Sequence, residues 1–483
     1  MATETIQLTR IEECLWEIPR QGGMRVPGRI YASEKLMANL KDDNCLRQVM
    51  NVAHLPGIVG YSLAMPDIHW GYGFPIGGVA AMSVEDGVVS PGGVGYDINC
   101  GVRLVKTGLV FDEVKDKLAR IVDTLFSLIP SGVGSEGAIP KLSKPDEKRL
   151  LRDGARWAVA EGYGGPDDLS YMEEGGRLAT ADADLVSDRA LDRGLKQVGT
   201  LGSGNHFLEI GRVEEIYLPP TADALGLFPG QIVILIHTGS RGLGYQTCED
   251  SLKIMNQAMP KYNITLPDRQ LACTPIQSPE GQDYLAAMAA AANYAWANRQ
   301  VIMSHAEKAF MKALGVSPKE LGFSLIYDVC HNIAKIEEHV VEGRKRSLCV
   351  HRKGATRAFA PGHPQIPAAY QKLGQPVLIP GDMGRYSYLL VGTETAMEKT
   401  FGSTCHGAGR MMSRAQSKKQ SQSMNIDQEM ARRGVVARYQ GRGTMAEEMP
   451  HAYKDVADVV ETMDMAGISK RVARFRPVGV IKG

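Results

Sequence analysis

The sequence predicts one large α+β domain built around a central site. Patterns typical of helices and of strands interleave irregularly along its 483 residues, without an internal repeat or a low-complexity tract. Segments with candidate site residues extend from about residue 67 to residue 482, so the predicted catalytic unit needs nearly the whole chain. Length alone suggests about two to four domains, although elaborate single domains reach this size. Only residues 1–60 could form a peripheral N-terminal segment.

The predicted elements lack the regular alternation of a doubly wound sheet or of a β/α barrel. Helical periodicity predicts helices near residues 112–129, 145–162, 281–315, 332–342 and 453–465. Apolar runs predict strands near residues 76–83, 101–106, 231–237, 322–329, 376–380 and 386–391. This irregular order is typical of an α+β fold.

Cysteine usage and the apolar segments predict a soluble protein of the cytoplasm. The eight cysteines are scattered without a C-x-x-C pair, which suits a reducing compartment better than a disulfide framework. Residues 1–20 lack the apolar core of a signal peptide. The longest apolar stretch, residues 284–297, is rich in alanine and is interrupted by Asn293. It therefore predicts a helix and no membrane span.

The most informative segment is residues 87–104, which read GVVSPGGVGYDINCGVRL. Asp97 and Cys100 lie three residues apart in a stretch too rich in glycine for a helix or a regular strand. Glycine lets the main chain approach a ligand closely. A carboxylate and a thiol on such a loop could bind one metal ion or bridge two, although this spacing alone is a weak signal.

Single histidines recur in comparable settings further along the chain. The segments GTLGSGNHFLE, IVILIHTGSRGLG, SLIYDVCHNIAK and FGSTCHGAGRMMSRAQ contain His206, His237, His331 and His406. The ends of buried strands and the turns after them are common places for functional sites. One such histidine is more often a hydrogen-bonded core residue than a metal ligand. The four together, with the carboxylate and thiol above, predict one site gathered from distant segments.

Charge is balanced overall but uneven along the chain. The net charge of +1 gives no global attraction to nucleic acid. Basic residues concentrate in 341–375, in 401–424 and in the C-terminal tail, and two of these runs adjoin candidate site segments. They favour a polyanionic substrate, either phosphates or an RNA backbone. The sequence has neither a P-loop nor the K-x-D-G segment of ligases whose lysine accepts AMP, so covalent nucleotide activation would need another residue.

Several long motifs together resemble the RtcB family of RNA-splicing ligases. They are DINC at 97–100, GNHFLE at 204–209, HTGSRG at 237–242, CHN at 330–332, CHGAGR at 405–410, MPDIHWGYGFPIGG at 65–78, VHRKGATRAF at 350–359, PGDMGRYSY at 380–388 and VGVIKG at 478–483. The similarity runs in matching order from about residue 20 to the last residue. It implies a single RtcB-like domain over residues 1–483, with mixed sheets around a central metal and nucleotide site.

The resemblance implies that the protein binds two Mn²⁺ ions. Cys100 would be the bridging thiolate. Asp97 and His206 would complete one site, and His237 and His331 the other. The ligand types alone favour zinc, because thiolate and imidazole are its usual donors, so manganese rests on the family.

The resemblance also implies GTP-dependent joining of RNA ends, in tRNA splicing or RNA repair. His406 would attack the α-phosphorus of GTP, release pyrophosphate and pass GMP to an RNA 3′-phosphate. The 5′-hydroxyl of the second RNA end would then displace GMP, and a 2′,3′-cyclic phosphate would first be opened at the same site. A neutral imidazole can attack near pH 7, since its unperturbed pKa is ~6.5. The RNA would be tRNA halves or other cleaved RNA, and the small activating protein archease assists some family members.

The family assigns a large set of residues to the nucleotide. Glu209 can accept hydrogen bonds from guanine N1–H and the N2 amino group, which adenine does not offer. The main-chain N–H groups of HGAG suit a phosphate. The full set is Asn205, His206, Phe207, Leu208, Glu209, His331, Asn332, Pro380, Gly381, Asp382, Met383, Ser387, His406, Gly407, Ala408, Gly409 and Lys482. Further candidates for phosphate or RNA contacts are Asp67 (an acid near the metals in the family), Arg241 and Arg410.

One position departs from the family pattern, and two other functions stay open. Asp382 stands where many relatives carry Ser or Thr, so it must be hydrogen-bonded to the base or sugar or turned away from the phosphates.

The same ligands could serve a binuclear metallo-phosphoesterase without a covalent histidine, although the HGAG segment argues against it. The other alternative is a non-catalytic RNA-binding protein, in which the complete set of metal ligands would have no function.

Overall fold

Helices and strands mix throughout the described chain, residues 6–40 and 44–483 of a computed structural model, and the predicted α+β class is confirmed. The strands are β1 (Thr9–Glu12), β2 (Leu15–Ile18), β3 (Gly28–Tyr31), β4 (Ile58–His69), β5 (Ile76–Ser83), β6 (Val88–Val89), β7 (Gly101–Val110), β8 (Phe207–Ile216), β9 (Gln231–Thr238), β10 (Thr274–Pro275), β11 (Ser324–Cys330), β12 (Asn332–Val341), β13 (Arg344–Lys353), β14 (Thr356–Arg357), β15 (Pro376–Ile379), β16 (Ser387–Gly392), β17 (Ser403–Thr404), β18 (Val436–Tyr439) and β19 (Ser469–Lys482).

Short 3₁₀ turns lie between several of the helices and strands. The helices are α1 (Glu34–Ala38), α2 (Asn44–Val52), α3 (Phe111–Val114), α4 (Leu118–Leu128), α5 (Lys144–Asp153), α6 (Ala155–Ala160), α7 (Asp188–Gly194), α8 (Pro219–Leu225), α9 (Arg241–Ala258), α10 (Pro279–Leu314), α11 (Pro318–Leu321), α12 (Glu394–Thr400), α13 (Arg414–Gln420), α14 (Ile426–Arg432), α15 (Arg442–Glu447) and α16 (Val456–Met465). None of the described helices combines the length and apolarity that a membrane span requires.

Two large mixed sheets form the framework. One has seven strands in the order β1-β2-β3-β4-β5-β13-β12, and its β3 and β4 are parallel. The other has eight strands, with the order β11-β7-β9-β8-β19-β16-β15 and β18 added in parallel beside β19. The first three strands lie at an edge of the seven-stranded sheet. Their apolar residues Leu15, Ile18 and Ile30 belong to the same buried cluster as Leu63 of β4 and Val79 of β5.

The eight-stranded sheet brings five strand ends to one place. Gly101, the first residue of β7, pairs with Cys330 at the end of β11 and with Thr238 at the end of β9. Phe207, the first residue of β8, pairs with His237 of β9 and with Lys482 at the end of β19. Because these neighbours are antiparallel, the starts of two strands meet the ends of three others. Residues that are far apart in the sequence therefore converge at this end of the sheet.

The 36-residue helix α10 packs behind this end of the sheet. It begins where Ser278 Oγ accepts a hydrogen bond from the Gly281 amide, with Pro279 in the first turn. It ends at Gly315, whose φ of 73° is a left-handed cap. Its alanine-rich middle is fully buried, because small side chains let the helix lie close to its neighbours.

The predicted helix at 332–342 is wrong, because these residues form strand β12. From Lys335 to Val340 the buried and exposed positions alternate, which is the period of a strand. The inward positions include Glu337 and His339, both buried. Because this strand turns charged and polar side chains inward, its sequence lacks the alternation of apolar and polar residues from which a strand is predicted.

Candidate active site

Two groups of potential metal ligands share the thiol of Cys100. Cys100, His237 and His331 form one group, and Asp97, Cys100 and His206 form the other, with the ligand atoms of each group within 4.8 Å of one another. Cys100 Sγ is 3.3 Å from His237 Nε2 and 3.4 Å from His206 Nε2. The Nε2 atoms of His237 and His331 are 3.3 Å apart, and Asp97 Oδ2 is 2.8 Å from His206 Nε2. The five side chains are thus gathered as two adjoining groups, each of which could hold a cation.

The protonation states of these groups suit metal binding. Burial, together with neighbouring imidazoles, lowers the pKa of His237 and of His331 well below the ordinary value, so both are neutral. Nδ1 of His206 is 3.0 Å from the Leu201 carbonyl, and donation there leaves the Nε2 lone pair facing Cys100. Burial and the Asp97 carboxylate raise the pKa of the Cys100 thiol well above its ordinary value. Cations at this position would favour the thiolate, so the donor set fits divalent metals.

A buried arginine fixes the loop that carries Cys100. Arg299 of α10 is fully buried and donates to the carbonyls of Asn99 and Thr238, each at 2.9 Å. It also donates to Asn99 Oδ1 at 2.9 Å. Asn99 has a φ of 50°, a left-handed conformation that asparagine tolerates better than most residues. One guanidinium therefore holds the residue before Cys100 and the residue after His237.

Replacing Arg299 with methionine should lower the free energy of unfolding by about 3 kcal/mol, because the Asn99 and Thr238 carbonyls lose a charged donor and Asp328 keeps Arg103 as its buried partner. Arg299 Nη2 lies 2.8 Å from Asp328 Oδ1, and both side chains are fully buried. Urea unfolding followed by tryptophan fluorescence measures the loss. The matched control is Arg438→Met, whose ion pair with Asp123 is largely exposed and worth about 0–1 kcal/mol. Equal midpoints for the two variants would contradict this role.

His406 lies directly beside the ligand cluster, with its ring centroid 4.8 Å from that of His331. Its Nδ1 is 2.6 Å from Asp67 Oδ2, which also accepts hydrogen bonds from the amides of His406 and Gly407 at 2.9 and 3.2 Å. Burial opposes ionisation of Asp67, but the charge and hydrogen bonds of His406 lower the pKa of this carboxyl overall. An ionised Asp67 keeps the ring proton on Nδ1, so Nε2 carries the free lone pair. His406 has the arrangement of an oriented nucleophile.

Two glycines allow the main chain to pass close to this pair. Gly409 has a φ of 73°, and a Cβ atom there would lie 2.2 Å from the Asp67 carbonyl oxygen. Gly354 has a φ of 60°, and its Cβ would lie 2.9 Å from His406 Cε1. Any side chain at either position would displace the Asp67–His406 contact.

A cavity of about 700 Å³ opens beside His406 and the ligand cluster. Among the described residues, its walls include most of the predicted nucleotide-binding set: Asn205, Phe207, His331, Asn332, Pro380, Gly381, Asp382, Met383, His406, Gly407, Ala408, Gly409 and Lys482. Asp97, Cys100, His237 and Arg410 also line it. Six predicted residues are not part of this lining: Asp67, His206, Leu208, Glu209, Arg241 and Ser387. The side chain of Leu208 belongs to the apolar core.

Glu209 and Lys482 are buried ionisable groups near the cavity. Glu209 Oε1 accepts a hydrogen bond of 3.0 Å from Ser387 Oγ, and burial raises the pKa of this carboxyl to about 8. Lys482 Nζ is 3.4 Å from the His206 carbonyl, and burial lowers its pKa to about 8. A carboxyl with a single hydroxyl partner keeps acceptor capacity for a ligand.

Asp382 and the two predicted phosphate-contacting arginines are engaged within the protein. Asp382 Oδ1 accepts from the Gly384 amide at 3.0 Å, and its Oδ2 is 3.1 Å from Arg385 Nε. Arg410 Nη1 is 3.2 Å from Glu448 Oε1, and Arg241 Nε donates to Thr200 Oγ1 at 3.3 Å. The Asp382 carboxylate is thus oriented by its own turn.

The basic segment 341–375 contains both buried and exposed cations. Arg352 is buried and lies 2.6 Å from Glu337 Oε1. Arg357 is buried and lies 3.2 Å from Glu173 Oε1. These two arginines balance internal carboxylates and are not available to a polyanion.

Comparison with known proteins decides the family. Residues 48–483 match the model of the family described as tRNA-splicing ligase RtcB. The chain belongs to the RtcB family. It is 52% identical to the tRNA-splicing ligase RtcB of Thermococcus kodakarensis over 99% of this chain and 100% of that protein. It is 54% identical to that of Archaeoglobus fulgidus and 51% identical to that of Methanococcus maripaludis, each over 99% of both chains. The resemblance inferred from the motifs is therefore confirmed.

Sequence reasoning on this RtcB chain missed the residues that support the site. Asn99 lies inside the DINC motif, but only its left-handed backbone shows that it organises the loop. Arg299 did carry a signal, because a charged residue in an alanine-rich apolar helix must have a buried partner. Lys353 and Trp70 line the cavity, and both lie within family motifs that by themselves indicate no role for them.

Proposed function

We propose that the protein is a GTP- and Mn²⁺-dependent RNA ligase that joins a 3′-phosphate or 2′,3′-cyclic phosphate end to a 5′-hydroxyl end. The observation that carries the proposal is His406, held through Nδ1 by Asp67 beside paired ligand groups that share Cys100. Its relatives are tRNA-splicing ligases. Proposed substrates are tRNA halves or other cleaved RNA in the cytoplasm, with archease as a proposed accessory protein.

The proposed reaction begins at His406 Nε2. This nitrogen attacks the α-phosphorus of GTP, a P–N bond forms, and the P–O bond to the leaving pyrophosphate breaks. Asp67 accepts the Nδ1 hydrogen bond throughout, which stabilises the positive charge that develops on the ring. An oxygen of the RNA 3′-phosphate then attacks the same phosphorus, and the P–N bond breaks. Finally the 5′-hydroxyl attacks the RNA phosphate, loses its proton and expels GMP.

The proposed metal ligands are Asp97, Cys100, His206, His237 and His331. Divalent cations would supply charge neutralisation for the phosphates and a Lewis acid beside the nucleophile. The choice of Mn²⁺ follows the family resemblance, since these donors also suit zinc. What this chain contributes is a shared thiol between two neutral imidazoles on one side and an imidazole–carboxylate pair on the other.

The proposed guanylate site is the cavity beside His406. Glu209 is buried outside the lining of this cavity and accepts a hydrogen bond from Ser387, and the family resemblance makes it the proposed acceptor for the guanine N1–H and N2 amino groups. Lys482 at the end of β19 and the main chain of residues 406–409 would contact the nucleotide. Arg241 and Arg410 would approach phosphates of the nucleotide or the RNA. The pairing of Asp382 with Arg385 makes it a support of the turn at 380–383.

The test is transfer of label from α-³²P-GTP to the protein in the presence of Mn²⁺. We expect a covalent label, stable to base and labile to acid, on the peptide that contains His406. Denaturing electrophoresis and peptide mapping measure it. Absence of label, with archease supplied and manganese bound, together with phosphate release from RNA ends, would replace the ligase with a metallo-phosphoesterase.

A further inference from the structure

Trp70 presents a large exposed ring at the wall of the active-site cavity. Its side chain is 60% exposed, the most of any described aromatic residue that lines this cavity. Within the described part of the chain, its ring takes part in no hydrogen bond, ring stack or cation contact. An exposed indole on the wall of a cavity offers a ligand a flat apolar surface.

The main chain on both sides of Trp70 is held in place. The buried side chain of Gln48 donates to the Gly71 carbonyl at 2.6 Å and accepts from the Gly71 amide at 3.0 Å. Lys454 Nζ donates to the Pro66 carbonyl at 3.0 Å. Trp70 therefore stands on a fixed backbone, and a rigid aromatic ring binds a flat ligand at a low cost in conformational entropy.

The surroundings of Trp70 match a nucleic-acid strand. The same cavity is lined by Arg414, whose side chain is 59% exposed, by Arg410, which pairs with Glu448, and by Met411, which is 55% exposed. Cationic groups that attract phosphates, together with an aromatic face, are the two components of single-stranded nucleic-acid sites. A small anion alone would use the cations and leave the indole unused.

We propose that Trp70 stacks on the terminal nucleobase of the RNA strand that carries the 3′-phosphate. The inference rests on the proposed ligase function. Trp70 follows Asp67 by three residues, and strand geometry limits their Cα separation to about 10 Å. Asp67 holds His406, whose GMP the 3′-phosphate must accept. The ring thus lies within reach of the nucleotide whose phosphate reacts, and it binds any base, because every base has a stacking face.

The first test compares transfer of GMP from the protein to a 3′-phosphate oligonucleotide in the variants Trp70→Ala and Trp70→Phe. Trp70→Ala should raise the KM for this RNA about tenfold to a hundredfold, with a much smaller change in kcat. Trp70→Phe should recover most of the loss. The matched control is Phe228→Ala, which removes a 38% exposed ring outside the cavity lining and should leave the KM unchanged.

The second test removes the base from the 3′-terminal nucleotide of the oligonucleotide. With the unmodified protein, removal of the base should raise the KM by the same factor as the Trp70→Ala substitution does. With Trp70→Ala, removal of the base should raise the KM little further. The proposal would be overturned if the Trp70→Ala substitution and the removal of the base raised the KM independently. It would also be overturned if Trp70→Ala changed the KM only for the 5′-hydroxyl strand.

A direct binding signal separates this inference from the ligase function. Stacking should quench tryptophan fluorescence when the oligonucleotide binds, and Trp70→Phe should remove that quenching. Protein that never forms a GMP adduct but shows the quenching would refute the ligase and keep the stacking site. Protein that forms the adduct while Trp70→Ala behaves as the unmodified chain would refute the stacking site alone.

Discussion

Cys100→Ala should remove both metal ions from the protein while the fold persists. The thiol is the only ligand that belongs to both described groups, so its loss leaves each group with two side chains. Changes outside the first coordination sphere already weaken metal affinity by roughly 10–100-fold, and removal of a bridging ligand should exceed that. Formation of the GMP adduct should disappear with the metals.

The fold should survive because other contacts hold the loop. The Cys100 amide donates to the Asp97 carbonyl at 2.9 Å, and the Cys100 carbonyl accepts from the His331 amide at 2.9 Å. Neither bond uses the side chain, and the Arg299–Asn99 contacts are equally unaffected. Circular dichroism and thermal unfolding of metal-free samples should therefore resemble those of the unmodified chain.

Elemental analysis after gel filtration measures the metal content. Cys349→Ala is the matched control, since Cys349 is also a fully buried cysteine but belongs to neither ligand group. It should retain two ions per chain. Normal manganese content in Cys100→Ala, or loss of a single ion, would contradict the bridging assignment.

The sequence predicted the candidate ligands but not how they meet. His237 and His331 follow apolar runs, which correctly predicted strands that end beside them. Their proximity depends on β7 lying between β11 and β9, a strand order set by contacts between residues more than 90 positions apart. Local periodicity contains no information of that kind. The recurring histidine contexts predicted one gathered site, but its division into two ligand groups came from the family resemblance.

Buried charge explains where sequence reasoning failed on the fold. Strand β12 was mistaken for a helix because Glu337 occupies an inward position, where it pairs with Arg352. Arg352 also counts among the cations of the basic segment 341–375, although its charge is balanced inside the protein. A charged residue in isolation is usually on the surface, and only the tertiary partner shows when it is not.

His406→Ala should abolish the GMP adduct while the metals remain bound. His406 belongs to neither ligand group, and its Nδ1 is engaged by Asp67. Loss of a covalent nucleophile typically costs a factor of about 10⁶ in turnover, so label from α-³²P-GTP should fall below detection. Elemental analysis on the same sample should still show two manganese ions per chain.

The matched control is His54→Ala, which removes a half-buried histidine outside the cavity lining and should leave labelling unchanged. An adduct on another residue of His406→Ala would refute the nucleophile assignment. Full release of phosphate from RNA ends by His406→Ala would go further, because a hydrolase that activates water needs no covalent histidine. In that case the Asp67–His406 pair would have no role in catalysis. The geometry argues against this outcome, because a carboxylate that fixes one imidazole tautomer prepares the ring for nucleophilic attack. Adduct formation with the unmodified chain and its loss in His406→Ala would together favour the ligase over the hydrolase.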